Sequence, residues 1–241
     1  MTDAGDPWER HAAWWQEQFT DGADPEYTEQ ILPLAAEHLA GAERVLDIGA
    51  GEGQLARVAA EQGASLVVGI DPSVTQLATA ARRGGGPRYV RGTAEMLPFP
   101  TGAFDAVTAC LVFEHITEVD AAIAEVARVL APGGRFLFFL NHPLLQTPDS
   151  GWIDDHILDE QYWRIGPYLV ESVAPEEVAP GVVLPFVHRP LSRYVNAMAG
   201  QGLLVEHMAE PAPPPGFIAR AVEYAAAATI PRLLFLRAHR T

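Results

Sequence analysis

Residues 45–53 read VLDIGAGEG, and the fold turns on how this stretch is read. Val45, Leu46 and Ile48 form an apolar run around Asp47, the pattern of a buried strand. Gly49, Gly51 and Gly53 then follow at every second position, with Ala50 between the first two. Their missing side chains allow a tight strand-to-helix turn whose backbone a ligand can touch. A helix starting near Gly53 presents free N–H groups to that ligand. Such a turn suits a nucleotide-like cofactor at the tip of a strand.

The spacing separates the candidate cofactors. A dinucleotide fingerprint needs a third glycine where Gln54 stands, and a phosphate-binding P-loop needs a lysine that is missing here. Asp47, two residues ahead of the first glycine, would repel a diphosphate and favour a cation. S-adenosyl-L-methionine carries a sulfonium and an ammonium and no phosphate. A second apolar run, VVGID (67–71), ends in Asp71. An acid at the end of the second strand, about 20 residues past the glycines, accepts from ribose hydroxyls. Capping the helix that starts near Ser73 is the alternative role.

Four motifs in order, VLDIGAGEG (45–53), VVGIDPS (67–73), RGTAEMLPFPTGAFDAVTA (91–109) and RVLAPGGRFLF (128–138), resemble the class I S-adenosylmethionine-dependent methyltransferases of the ubiquinone-biosynthesis-like, type 11 kind. The resemblance is strong over about residues 43–140. It implies a doubly wound, Rossmann-like α/β fold with seven strands, mostly parallel, the last one antiparallel. It also implies S-adenosyl-L-methionine as cofactor and S-adenosylhomocysteine as product. Pro72 beside Asp71 and Leu111 after the fourth strand are expected against the cofactor. Such proteins hold adenine with an acidic residue and an alanine after the third strand. Thr93-Ala94 stands there in this chain, with the Ala94 backbone or Glu95 as the substitute contact.

Periodicity predicts helices over 8–19, 25–40, 53–62, 73–83, 118–130, 191–200 and 217–228. It predicts strands near 43–48, 65–70, 88–91, 104–110, 134–140, 203–209 and from 231 onward, and this alternation signals a parallel sheet covered on both faces. Pro132, Gly133 and Gly134 stop the helix over 118–130 and launch the fifth strand. The chain divides into N-terminal helices (1–42), a cofactor-binding core (43–140), an insertion without clear period (141–188) and the end of the sheet (189–241). The insertion is expected over the carboxyl ends of the strands, as the substrate cap.

His142 follows the fifth strand directly and is the leading candidate for a base that takes a proton from a hydroxyl acceptor; bonding a loop carbonyl is its alternative role. His188 is the second candidate, with Arg189 as a carboxylate clamp; a solvated start of the late helix is the alternative role for both. Glu114, after the fourth strand, serves either proton transfer or helix capping. Trp152, Tyr162, Trp163 and Tyr168 either line an apolar pocket or fill the cap's own core. Asp154, Asp155 and His156 adjoin one another, but neighbours in sequence rarely point at one centre, and no metal site is expected.

Charge narrows the partners. The 241 residues carry 31 acids against 16 bases, a formal charge of −15, whereas nucleic-acid binders need a basic face. The expected acceptor is therefore a small molecule, methylated at oxygen, rather than nucleic acid. Carbon or nitrogen methylation, or a cofactor-binding protein without methyl transfer, are the alternatives, and an NAD-dependent oxidoreductase is the rival that Gln54 opposes. No run approaches the roughly 20 apolar residues of a membrane span, and the first residues show no secretory pattern. The single Cys110 agrees with a reducing, cytoplasmic setting. Nothing in the chain specifies its oligomeric state.

Overall fold

The computed structural model describes residues 7–20, 23–220 and 227–241. Helices α1 (Pro7–Arg10), α2 (Ala12–Phe19) and α3 (Leu32–Leu39) precede the sheet. There follow β1 (Arg44–Ile48), α4 (Gln54–Glu61), β2 (Leu66–Asp71), α5 (Val74–Arg83), β3 (Arg88–Arg91) and β4 (Phe104–Cys110). Then come α6 (Val119–Val129), β5 (Leu130–Asn141), β6 (Gly151–Asp155), β7 (Glu160–Arg164), β8 (Ser172–Ala179) and β9 (Val182–His188). The chain ends with α7 (Leu191–Gly200), β10 (Leu203–Ala209), the single turn α8 (Pro215–Ile218) and β11 (Leu233–Arg240).

Seven strands form one sheet in the order β10-β11-β5-β4-β1-β2-β3. β1 to β5 pair in parallel, and β11 runs antiparallel to both β5 and β10. Strand order reverses between β1 and β4, and open sheets of this type bind ligands in the crevice at that point. The helices cover both faces because residues alternate along each strand. Val45, Val67, Leu137 and Phe139 pack with Ile31, Leu39, Leu55 and Ala59 on one face. Leu46, Val68, Phe136 and Phe138 pack with Ile123, Val126, Tyr194 and Met198 on the other. Each fully buried phenylalanine contributes about 1.5–3 kcal/mol.

Five segments depart from the periodicity. The N-terminal helix divides at His11 into α1 and α2. The helix expected over 25–40 begins as a π turn, Tyr27–Ile31. Pro33, just beyond that turn, has no N–H to donate and its ring crowds the carbonyl four residues back. The 118–130 helix ends at Val129, three residues before Pro132, and β5 begins at once. The 141–188 segment, which shows no period, folds as two antiparallel hairpins, β6-β7 and β8-β9. Of the helix expected over 217–228, the described residues hold only the end of α8, at 217–218, and the start of a 3-10 turn, Ala227–Thr229; 221–226 lie outside the described residues.

Candidate active site

At the carboxyl ends of β1 and β2 the backbone folds back on itself. Gly49 and Ala50 both donate to the Ile70 carbonyl, at 2.8 and 3.0 Å. Gly49, Gly51 and Gly53 all have positive φ, at 65°, 52° and 87°, a region that costs residues with a Cβ. Gly51 also faces open space, and its N–H donates to Asp71 Oδ2 at 2.9 Å. The other oxygen, Asp71 Oδ1, accepts from Ser73 N–H at 2.8 Å. Two backbone donors thus aim the carboxylate at the cavity beside the glycine turn, and each oxygen keeps lone-pair capacity. Ser73 is the N-cap of α5, accepting from Gln76 N–H at 3.1 Å, so capping falls to the serine.

Asp47 performs a second task. Its Oδ2 accepts from Ala56 N–H at 3.1 Å and its Oδ1 from the Thr108 hydroxyl at 2.7 Å. Ala56 lies in the first turn of α4, where amides lack helical partners, so the carboxylate ties that helix to β1 and β4. Burial pushes its pKa up to about 7. A carboxyl whose folded pKa exceeds the unfolded value lowers stability as pH rises from about 4 to about 7, with no further change above. Asparagine at this position can accept from Ala56 N–H and donate to the Thr108 hydroxyl, which then accepts, without ionising. The melting-temperature advantage of Asp47→Asn over the parent protein should therefore grow from pH 5 to pH 7.5 and then level off. Thermal melts across that range check this.

The cavity is closed by the N-terminal helices. Trp8 and Trp15 line it together with Pro72, Thr93, Ala94, Glu95 and Leu111. Their seven-residue separation spans about two helical turns, and their rings meet edge to face at 5.5 Å. Glu9 fastens α1 to the start of α5, accepting from the hydroxyls of Ser73 and Thr75 at 2.6 and 2.7 Å. Those bonds hold its pKa down. Leu111 adopts φ 55°, uncommon without glycine, and donates its N–H to Phe139 O at 3.0 Å. Among the described lining residues are Asp47, Glu52, Asp71 and Glu95, and no lysine or arginine. The cavity therefore suits a cation and resists a diphosphate.

His115 is the histidine on this cavity. It stands at the end of a 3-10 turn, Phe113–His115, that follows β4. Its Nδ1 lies 2.7 Å from the Pro185 carbonyl, which can only accept, so the proton sits on Nδ1 and the lone pair on Nε2. Trp8 and Phe186 approach the ring edge to face, at 4.6 and 5.9 Å. Loss of water lowers its pKa to about 4, and the ring is neutral at pH 7. The turn is held from the far side by Arg189, whose guanidinium donates to the carbonyls of Phe113, Ile116 and Thr117. The expected carboxylate clamp is instead a brace for this loop. Glu114 is buried and holds the Asn141 amide groups, and burial raises its pKa to about 7.

The two histidines expected as bases are placed elsewhere. His142 does not line the cofactor-side cavity. Its Nδ1 accepts from Leu144 N–H at 3.2 Å, and its Nε2 lies 2.7 Å from Glu210 Oε1. With both ring nitrogens engaged, no lone pair is free for an acceptor. The loop bends away because His142 N–H bonds the Arg232 carbonyl at the edge of β11. His188 is 1% exposed and donates from Nε2 to Tyr168 O, and it lines neither this cavity nor the one beneath the hairpins. Trp152 and Trp163 line the latter, Tyr162 is exposed, and Tyr168 packs on His188. Asp155 organises the β6-β7 turn by accepting from Ile157 and Leu158 N–H. Sequence reasoning passed over Trp8, Trp15 and His115 as site residues. The spacing of the two tryptophans was the available signal for the first pair.

Comparison with known proteins agrees with this geometry. A family described as "Methyltransferase domain" matches residues 46–138. A crystal structure of an S-adenosylmethionine dependent methyltransferase from Mesorhizobium loti is 31% identical. It covers 90% of this chain and 98% of its own, with a TM-score of 0.76. A putative S-adenosylmethionine dependent methyltransferase from Listeria monocytogenes is 25% identical over 90% of this chain and 96% of its own, with a TM-score of 0.75. A demethylmenaquinone methyltransferase from Thermus thermophilus is 40% identical over 48% of this chain and 54% of that protein. The chain thus spans about half the length of the curated relatives it matches. The protein belongs to the class I S-adenosylmethionine-dependent methyltransferases of the type 11 family. No described helix is long and apolar enough to cross a membrane.

Proposed function

We propose that this protein methylates a small hydroxylated acceptor, with the cofactor in the glycine-turn cavity and His115 receiving the acceptor's proton. The observation that carries the reading is the pairing, on one cavity, of a ribose-type carboxylate with a neutral histidine. The residues fit the cofactor: Asp71 is presented by Gly51 and Ser73 amides, Gly51 leaves open space, and the lining is acidic without cations. Asp71 would hold the ribose hydroxyls, and Thr93, Ala94 and Glu95 would border the adenine. When bound, S-adenosyl-L-methionine supplies an already activated methyl group. The chain's task is then alignment, exclusion of water and management of one proton. Trp8 and Trp15 exclude water, and Nε2 of His115 accepts the proton.

Oxygen is the first reading for the methylated atom. Carbon is the second, favoured by relatives named "Ubiquinone/menaquinone biosynthesis C-methyltransferase"; a ring carbon beside a hydroxyl also becomes nucleophilic when that hydroxyl is deprotonated. The test is incubation with 13C-methyl-labelled cofactor and a panel of phenols, catechols and hydroquinones. Mass spectrometry reports any labelled product, and 13C NMR separates O-methyl from C-methyl. Absence of a labelled product across the panel would count against a hydroxylated acceptor.

A further inference from the structure

The bond that fixes the tautomer of His115 comes from the β8-β9 ribbon. Pro175 and Pro185 stand directly opposite each other there. Neither has an N–H, so nothing on Pro175 competes for the Pro185 carbonyl. That oxygen is left to accept from His115 Nδ1 at 2.7 Å. Just past the end of β9, Arg189 reaches beneath the same turn. It is 3% exposed, and its guanidinium donates to the carbonyls of Phe113, Ile116 and Thr117 at 3.2, 2.7 and 2.8 Å. A 3-10 turn as short as Phe113–His115 leaves terminal carbonyls unpaired, so its shape depends on an outside donor. The planar fork of arginine serves several acceptors at once, whereas a lysine ammonium is a single point of charge. The ribbon thus holds His115 twice, at the ring through Pro185 and at the backbone through Arg189.

The other ring nitrogen, Nε2, has no hydrogen-bond partner among the described residues. We infer that Arg189 is a positioning residue for His115: by holding the turn, it keeps Nδ1–H on the Pro185 carbonyl and the lone pair on Nε2. An imidazole released from that carbonyl is free to carry its proton on Nε2 instead, and then has no lone pair there to offer. Charged groups stand on every neighbouring element: Glu114 on the turn itself, Glu9 on α1, Glu176 and Arg189 from the ribbon, Asp71 and Glu95 on the cavity. The ring's charge state nevertheless follows burial first and the Pro185 bond second. Water entering beside a slackened turn removes the effect of burial. Describing Arg189 as the positioner of a base rests on the proton-transfer reading above; the state of the ring does not.

The test is 15N NMR of the full chain labelled at histidine, with His115 identified by the signals missing from His115→Gln. In the parent protein the ring should carry its proton on Nδ1 at pH 7 and stay neutral down to pH 5.5. Arg189→Met removes all three donors, and Arg189→Lys leaves one point donor. In both, an Nε2–H population should appear, and the ring's midpoint should rise by about one pH unit or more toward 6.5. Glu171 lies 3.8 Å from Arg189 and 3.3 Å from Arg193. Glu171→Gln removes that charge without touching the carbonyl bonds, and its His115 signals should match the parent. Thermal melts identify the folded variants, and Arg189→Lys decides the matter if Arg189→Met does not fold. Parent-like signals in the folded Arg189 variants, an equal change in Glu171→Gln, or a parent ring protonated on Nε2 would overturn the inference. The spectra report His115 whether or not an acceptor is methylated. A failed methyl-transfer reading shows instead as no labelled product across the acceptor panel.

Discussion

Asp71→Asn should weaken S-adenosylhomocysteine binding by about a hundredfold or more. Hydrogen bonds to a charged group are worth roughly 1.5–3 kcal/mol each, and two ribose hydroxyls would share this carboxylate. The substitution also sets an amide N–H₂ against one of the two backbone donors, Gly51 or Ser73, that now point at the carboxylate. The loss should therefore exceed that of a simple missing acceptor. Calorimetric titration of the variant measures it. Since Asp71 lies at a strand end rather than in the apolar core, thermal melting without ligand should show a folded protein. Affinity equal to that of the parent protein would remove the ribose assignment.

The second large effect concerns His115. His115→Ala should lower kcat by about 10²–10⁴, the usual contribution of a positioned acid–base group, while S-adenosylhomocysteine affinity changes by only a few-fold. The pH profile provides a sharper reading. Desolvation holds this histidine near 4, so its neutral, competent form is present throughout pH 5.5–8. The parent kcat should show no titration near 6.5 in that range. Steady-state rates across pH check both statements. A midpoint at the ordinary histidine value, or an alanine variant with full turnover, would assign the proton to another group. His142 is a poor substitute, because Leu144 N–H occupies its lone pair.

Much of the cofactor half could be read from residue types alone, because its chemistry is local. A G-x-G-x-G turn after an apolar strand requires positive φ, and all three glycines have it. An acid at the tip of the next strand lies beside that turn because β1 and β2 are paired in register, Ile48 against Ile70. The acceptor half was opaque for equally physical reasons. The β8-β9 ribbon buries most of β9 while β8 stays largely exposed, so the two strands carry no common period. Pro175 and Pro185, which read as strand breakers, sit directly opposite each other across β8 and β9; an isolated ribbon has free edges where a missing N–H breaks no ladder bond. The choice between histidines depended on tautomer and loop direction. Position in the sequence does carry His142 to the end of β5, but the bond from its N–H to Arg232 turns it away. For His115, only the Pro185 carbonyl from the distant hairpin shows which nitrogen is free.

The central claim is that an S-adenosyl cofactor lies between the glycine turn and the N-terminal tryptophans, with its sugar on Asp71. A crystal structure of the complex with S-adenosylhomocysteine tests it most directly. The account predicts both ribose hydroxyls within hydrogen-bond distance of the Asp71 carboxylate and the thioether sulfur on the His115 side of the cavity. A ribose held elsewhere, or a ligand seated outside this crevice, would contradict it.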